Sequence, residues 1–594
     1  MPRNGKVLSL NNVAEPCTLA VPGGPTLHGF LSTHGVANFL NVPYARIPAR
    51  FRTAEPVSLK ELKGDLDNSQ YGPRCPQPPD PIHILMGHMF ECLPMEQYTD
   101  ELSCLDVNIY IPPPGVDLKS KTNTNLPVFA WIHGGAFRAG CNTVEWDGNH
   151  LVARSMRLGR PIIVVAINYR LGVLGFLTSR EIEAEARAAA AHAGGPAAIR
   201  NQGLNDQKLA LGWIRQHIAL FGGDPANVTV AGESAGAMSI HYLLKAKTDN
   251  DIDSNGNTPL FRRGLICSSP DVGVSLRTVS DGQAQFDALV QAAGVSPDAS
   301  GEEKLAALRA CSADELIAML PPDMARAVPA PFPDRAWFVD WEASQEMPPK
   351  EYWPQLPDWC TELVVGSAKD EMALFLSRDE TVGWTAVQAK EKLAVVLGHD
   401  AALVDAVWDA PSLQAPDGST TPLGRLVAFG TDRFIRGPSH NFAAAVSRQS
   451  TNHRVYLYSI DIVDPFPGTT LDGAPLEGTG KTGALQGFAW HSFGNAIVFY
   501  QPACQRDAEL GVTADKITEA HISIMYGDGD SVWQPYGQAG RKMSWNGTKS
   551  GMVSVGFAPY DPVGDYLKTL GNAAVLQAYE AFTADPTRLR GLLG

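Results

Sequence analysis

The sequence predicts an α/β chain organised on a large, mostly parallel sheet flanked by helices, and three observations carry that reading. Short, nearly all-apolar runs recur, helical patterns lie between them, and one run turns straight into Gly-Glu-Ser-Ala-Gly. The runs are "LPVFAWIH" ending at His133, "PIIVVAIN" ending at Asn168, "NVTVAG" ending at Gly232, "TELVVGS" ending at Ser367 and "HRVYLYSI" ending at Ile460. A strand that is apolar along its whole length is covered on both faces, which is the condition of a parallel sheet inside helical layers.

The helical signal is strongest in "NDQKLALGWIRQHIALFGG", where Leu209, Trp213, Ile214, Ile218 and Leu220 form the apolar set and a glycine pair ends the pattern. The Ala-rich stretch Glu181 to Gly195 reads as a surface helix, and the Pro-rich patches "PQPPDPIHI" and "AVPAPFPD" as irregular excursions. Strands that alternate with helices argue for parallel pairing.

In "NVTVAGESAGAMS", Asn227 to Ser239, a strand reverses into a helix within one turn. Gly232 and Gly236 permit the tight turn, which pushes the Ser234 hydroxyl out over the sheet edge as a nucleophile. A bare G-x-S-x-G constrains three positions, so context decides between this and an ordinary loop.

The chain of 594 residues exceeds the usual size of one core, yet no internal repeat or low-complexity linker divides it. One domain over residues 1–594 with long decorated loops is expected. A net charge of -15 without a basic run excludes a nucleic-acid or anionic-membrane partner. The stretch "MPRNGKVLSLNNVAEPC" lacks the apolar core of a secretory signal, and no segment reaches the length of a membrane span, so a cytoplasmic protein is expected. Nine cysteines leave at least one unpaired and show neither C-x-x-C nor a metal-ligand spacing; no metal is expected. The N-x-T sequons at Asn227 and Asn546 read as coincidental, the first lying within a strand.

A serine nucleophile needs a base, an acid that orients the base, and donors aimed at an oxyanion. "WIHGGAFRAG", Trp131 to Gly140, follows a strand with a glycine pair and suits the donors. Together with "FLNVPYARIP", "CLDVNIYIP", "NYRLGVLGF", the block Asn201 to Ala237, "ELVVGSAKDE" and "AWHSFGNAIVF", it resembles the type-B carboxylesterase family, which includes cholinesterases and fungal lipases within the α/β-hydrolase fold. The resemblance covers most of the chain and implies loop insertions around an active-site gorge.

It also implies a Ser-Glu-His triad of Ser234, Glu371 and His491, with Asp370 competing for the acid and His440, His453 and His521 more in keeping with surface or hydrogen-bonded structural roles. The oxyanion donors it implies are the N–H groups of Gly135, Ala136 and Ala235, and His133 reads as a brace for that loop. No cofactor is required, and the expected partner is a small-molecule ester. Ala136 replaces a third glycine, Met372 a glycine after the acid, and Ser492-Phe493-Gly494 lacks an acidic residue common after the histidine. Cholinesterases carry a tryptophan where this chain has Pro94, which argues against choline esters.

In secreted relatives the positions of Cys75 and Cys104 are bridged around a flap; the pair here reads as either a bridge or two thiols, with "IHILMGHMF" as flap or core. Trp337, Trp341, Trp353, Trp359, Trp384 and Trp490 suggest a bulky apolar pocket. The leading reading is a serine carboxylesterase for a hydrophobic ester. A lipase, an acyltransferase or lactone-forming enzyme with the same triad, and a non-catalytic binding protein are the alternatives.

Overall fold

The computed structural model describes residues 13–592 apart from 80–81, 91–97, 114–124, 194–198, 247–258, 271–276, 322–330, 333–355, 378–382, 415–419, 450–452, 470–473, 477, 480–482, 557, 586–587 and 589–591. Pro94, Trp337, Trp341 and Trp353 lie outside the described residues.

Twelve strands follow one another across a single sheet: β1 (Val13–Ala20), β2 (Thr26–Ser32), β3 (Ala37–Pro43), β4 (Asp106–Ile111), β5 (Leu126–Ile132), β6 (Ile163–Ile167), β7 (Gly223–Glu233), β8 (Arg263–Cys267), β9 (Glu362–Ala368), β10 (Arg454–Ile460), β11 (Arg541–Trp545) and β12 (Gly551–Ser554). Their spatial order is β1-β2-β3-β4-β6-β5-β7-β8-β9-β10-β11-β12, with a short segment, Leu66–Asp67, beside β2. From β6 to β11 every pair is parallel. The first four strands and the last are antiparallel additions.

All five runs singled out in the sequence fall in the parallel stretch, and β5, β6 and β9 are buried at every position. Successive side chains serve opposite faces, as strand geometry requires. Phe129 and Trp131 of β5 join one core while Val128, Ala130 and Ile132 join the other; on β7, Ala231 joins the first and Val228 and Val230 the second.

The antiparallel strands carry no comparable signal. β2 mixes buried and exposed positions in the pattern of a half-covered strand; within the parallel stretch, β8 begins with a charge, Arg263, neutralised by Glu362 across the ladder. One of the Pro-rich patches is less irregular than expected, because helix α1 (Ile82–Phe90) begins at its Ile82.

Helix α2 (Gln202–His217) realises the predicted pattern, with Trp213, Ile214 and the following Ile218 buried and Leu209 and Leu220 partly so. It is pinned to the loop after β6 by a buried bidentate pair, Arg170 Nε to Asp206 Oδ2 at 2.8 Å and Nη2 to Oδ1 at 2.7 Å. A smaller apolar cluster lies outside the two main cores and joins Val173 and Leu174 to Phe286, Leu305 and Leu316. Among the described residues no helix is long and apolar enough to cross a membrane.

Candidate active site

Strands β6 and β7 lie on opposite sides of β5, so the chain reverses its winding there. In an open parallel sheet the carboxyl ends beside such a reversal form the natural crevice for a ligand. Ser234 stands at the end of β7, and the His133–Gly135 loop at the end of β5.

The elbow is built as the sequence predicts. Ser234 joins β7 to helix α3 (Ala235–Lys245) at φ 55° and ψ -122°, a conformation that L-residues avoid. A Cβ at Gly232 would fall 2.6 Å from the Gly236 backbone, and one at Gly236 would fall 2.0 Å from the Ile132 carbonyl oxygen. Only hydrogen fits at either place. The Ser234 N–H donates to the Cys267 carbonyl at 3.1 Å, which ties the strained residue to the end of β8.

The glycine loop after β5 presses against this elbow. A Cβ on Gly134 would stand 3.1 Å from the Ser234 Cβ. Gly135, Ala136 and Phe137 all have positive φ, at 101°, 55° and 56°. Two non-glycine residues in that region amount to stored strain, of order 1–3 kcal/mol each, held by Gly135 accepting from the N–H groups of Arg138 and Ala139. Ala235 opens α3, so its N–H is among those an α-helix leaves without an internal partner. His133 is fully buried, its ring stacked on Tyr169 at 4.4 Å and its Nδ1 2.8 Å from the Gly134 carbonyl oxygen. Burial pushes its pKa down to about 4, in keeping with a neutral brace.

Glu371 follows β9 by three residues and is wholly buried. Its Oε1 accepts the Ala368 N–H at 2.5 Å and its Oε2 lies 2.6 Å from Nδ1 of His491. Asp370 points elsewhere and accepts the Ala489 N–H at 3.0 Å. The structure therefore brings Glu371 to His491, and not Asp370. His440 and His521 are buried rather than superficial, packed edge-on to Tyr536 and Tyr458, and burial lowers each to about 4. His453 sits just before β10, half-buried, with neither ring nitrogen hydrogen-bonded.

Sequence reasoning passed over Glu233, the variable position of the G-x-S-x-G motif. Its Oε1 lies 2.8 Å from His491 Nε2 and accepts the Ser492 hydroxyl at 2.9 Å. The Nε2 contact has the distance of an ion pair without the angle of a hydrogen bond, since that nitrogen has no hydrogen-bond partner. Burial draws the His491 pKa down, but the Glu233 and Glu371 carboxylates outweigh it and raise the value to about 10. A carboxylate at the buried end of an apolar strand was the available signal, for such a group needs a partner. Ser492, in the left-handed region at φ 72°, supplies part of that partnership.

The tryptophan pocket fares less well. Trp359 packs on Phe261 before β9 begins, a full strand of about 20 Å from the Glu371 end. Trp384 lies on one of the apolar cores. Of the described tryptophans in that set, only Trp490 adjoins His491, and it is fully buried. Cys75 and Cys104 form a disulfide with Cα atoms 5.2 Å apart, enclosing α1 within its loop. Among the described residues no cluster of His, Cys, Asp and Glu is disposed to hold a metal ion.

The model of the carboxylesterase family matches residues 23–507. The chain is 34% identical over 321 residues to Lipase 5 of Diutina rugosa, covering 52% of this chain and 53% of that protein. It is 31% identical over 345 residues to Lipase 3 of Yarrowia lipolytica, covering 57% and 59%, and 41% identical over 215 residues to the para-nitrobenzyl esterase of Bacillus subtilis, covering 36% and 37%. The matches thus span about half the length of the curated lipases. With an elbow serine, a strained glycine loop and a buried Glu-His pair gathered at one edge of an α/β-hydrolase sheet, the chain belongs to the carboxylesterase family.

Proposed function

We propose that this protein is a serine carboxylesterase that cleaves hydrophobic carboxylic esters through an acyl-enzyme on Ser234. The observation that carries the reading is the His491–Glu371 pair, 2.6 Å apart and buried, at the same sheet edge as the strained Ser234. Ser234 Oγ attacks the ester carbonyl while His491 Nε2 takes its proton, and Glu371 holds Nδ1–H so that Nε2 faces the nucleophile. The N–H groups of Gly135, Ala136 and Ala235 receive the tetrahedral oxyanion. The intermediate collapses by breaking the ester C–O bond, and His491 gives its proton to the departing alcohol. A water molecule then repeats the attack with the same base, releasing the acid and restoring the Ser234 hydroxyl.

Glu233 enters this scheme as a second charge on the base. While its carboxylate holds Nε2, His491 stays cationic and cannot accept a proton. The working base is the arrangement in which Nε2 has lost its proton and turned to Ser234.

The test is intact mass after treatment with a fluorophosphonate, with Ser234→Ala as control and a p-nitrophenyl ester series of increasing acyl length. One adduct, absent in the variant, is expected, together with a fall in kcat on the order of 10⁴- to 10⁶-fold in Ser234→Ala. A folded protein that takes no adduct would overturn the assignment. A lipase is the second reading, favoured by the disulfide-enclosed apolar helix α1 and by the names of two relatives. Turnover that rises sharply when a long-chain ester passes its solubility limit would select it.

A further inference from the structure

Three consecutive residues, Ala489, Trp490 and His491, are each held by a different carboxylate. Asp370 Oδ2 accepts the Ala489 N–H at 3.0 Å, Asp464 Oδ2 accepts the Trp490 indole N–H at 2.8 Å, and Glu371 holds the His491 ring at 2.6 Å. The two backbone-strand neighbours, Asp370 and Glu371, come from one turn after β9. Asp464 comes from elsewhere, four residues after β10, and is itself wholly buried.

Asp464 has a second obligation. His88 of α1 places Nε2 2.6 Å from the same Oδ2, while its Nδ1 lies 2.9 Å from the Leu85 carbonyl oxygen. Both ring nitrogens face oxygen atoms, so the ring ties Asp464 to the backbone of α1. The other oxygen, Oδ1, accepts the Phe466 N–H at 2.9 Å. The contact is not isolated, since Thr469 Oγ1 donates to the Ile84 carbonyl at 2.8 Å, Arg506 donates to the His88 carbonyl at 2.8 Å, and the His88 ring lies 6.2 Å from that of Trp490.

The geometry points to Asp464 as a positioning residue for His491, shared with α1 through His88, so that the disulfide-enclosed helix and the loop bearing the base are seated on one carboxylate. The inference rests on His491 being the base. Its physical basis is that Asp464 has no access to water. If α1 withdraws His88, the buried oxygen Oδ2 keeps the Trp490 indole N–H as its one remaining partner, so the loss is felt at Trp490 and hence at the peptide that carries His491.

The test uses the full-length protein with Asp464→Asn, His88→Ala and His88→Gln. An amide offers one acceptor oxygen where donors face both, so Asp464→Asn must abandon either Phe466 or the Trp490–His88 pair. Gln at position 88 can again reach the carboxylate with an N–H. Hydrogen exchange is followed at residues 82–90 and 484–492, and kcat and KM are measured on p-nitrophenyl butyrate. His88→Ala is expected to speed exchange about tenfold or more in both segments, not in the first alone. Both Asp464→Asn and His88→Ala are expected to lower kcat by about ten- to a hundredfold with KM little changed, and His88→Gln to recover most of the loss. Faster exchange in His88→Ala confined to 82–90, or an unchanged kcat, would overturn the coupling. Loss of the fluorophosphonate adduct from the wild-type protein would instead strike at the esterase reading, and the exchange result would still decide whether the two segments share a seat.

Discussion

In the proposed mechanism Glu233 bears on the base more directly than Glu371 does, because it faces the nitrogen that would exchange protons with Ser234. A group with its pKa raised is protonated below that value, so His491, as the proposed base, would work only toward higher pH with the Glu233 carboxylate beside it. Replacing Glu233 by Gln removes one negative charge and lowers the His491 pKa. The acid limb of kcat/KM against pH, measured on an uncharged ester from pH 5 to 10, is expected to move to lower pH in Glu233→Gln. A limb that stays in place would mean that Glu233 does not hold Nε2 in the working enzyme. Ser492 donates to the same carboxylate oxygen, so Glu233 is tied to the His491 loop at two points.

Helix α1 is the element most dependent on contacts outside itself. It is nine residues long, below the length at which an isolated helix persists in water. Its order therefore comes from the Cys75–Cys104 bridge and from its seat on Asp464, Thr469 and Arg506. Closing a loop of 29 residues removes unfolded-chain entropy equivalent to about 3–4 kcal/mol. The double variant Cys75→Ser/Cys104→Ser is expected to lose stability of that order by chemical denaturation. A denaturation midpoint unmoved by the substitutions would show that the bridge contributes nothing to the fold. The bridge also bears on compartment, since such bonds persist where the surroundings are oxidising.

Across the whole chain, burial has trapped neutral histidines on both sides of the sheet. His133, His440 and His521 are lowered to about 4 and His241 to about 3, each first by burial. In the unfolded chain such a ring takes a proton at about pH 6.5, whereas the fold refuses it until near pH 4. Above pH 6.5 neither state is protonated and the four contribute nothing. Between 6.5 and 4 the unfolded state gains protons, so each ring costs about 1.4 kcal/mol per pH unit. His491 acts in the opposite sense: its raised pKa stabilises the fold below about 6.5, and that contribution is lost as pH climbs toward 10. Scanning calorimetry is expected to show Tm falling steeply between pH 6.5 and 4, with a gentler slope in His521→Phe. An identical slope in that variant would remove His521 from the account.

Ser234, the glycine loop and the five central strands were legible because their causes are local. A β7-type apolar run, two positions where only hydrogen fits, and a helix starting at once can be read within a dozen residues. Glu371 and His491 were reachable through the family pattern, although their pairing joins positions 120 residues apart. The antiparallel strand β2 was not read, since a half-covered strand dilutes the apolar signal, and β8 hid behind a charged Arg263 whose partner lies on another strand. That Glu233 needed a partner could be read from its place at the end of an apolar strand, but which partner could not, and neither Ser492 against Glu233 nor His88 with Trp490 on Asp464 shows in any short stretch. Such contacts are made by side chains from 26 to 376 residues apart that share a site only once the sheet has aligned its carboxyl ends. Chain-local sterics settled where Ser234 stands; the charges that surround His491 were settled by packing.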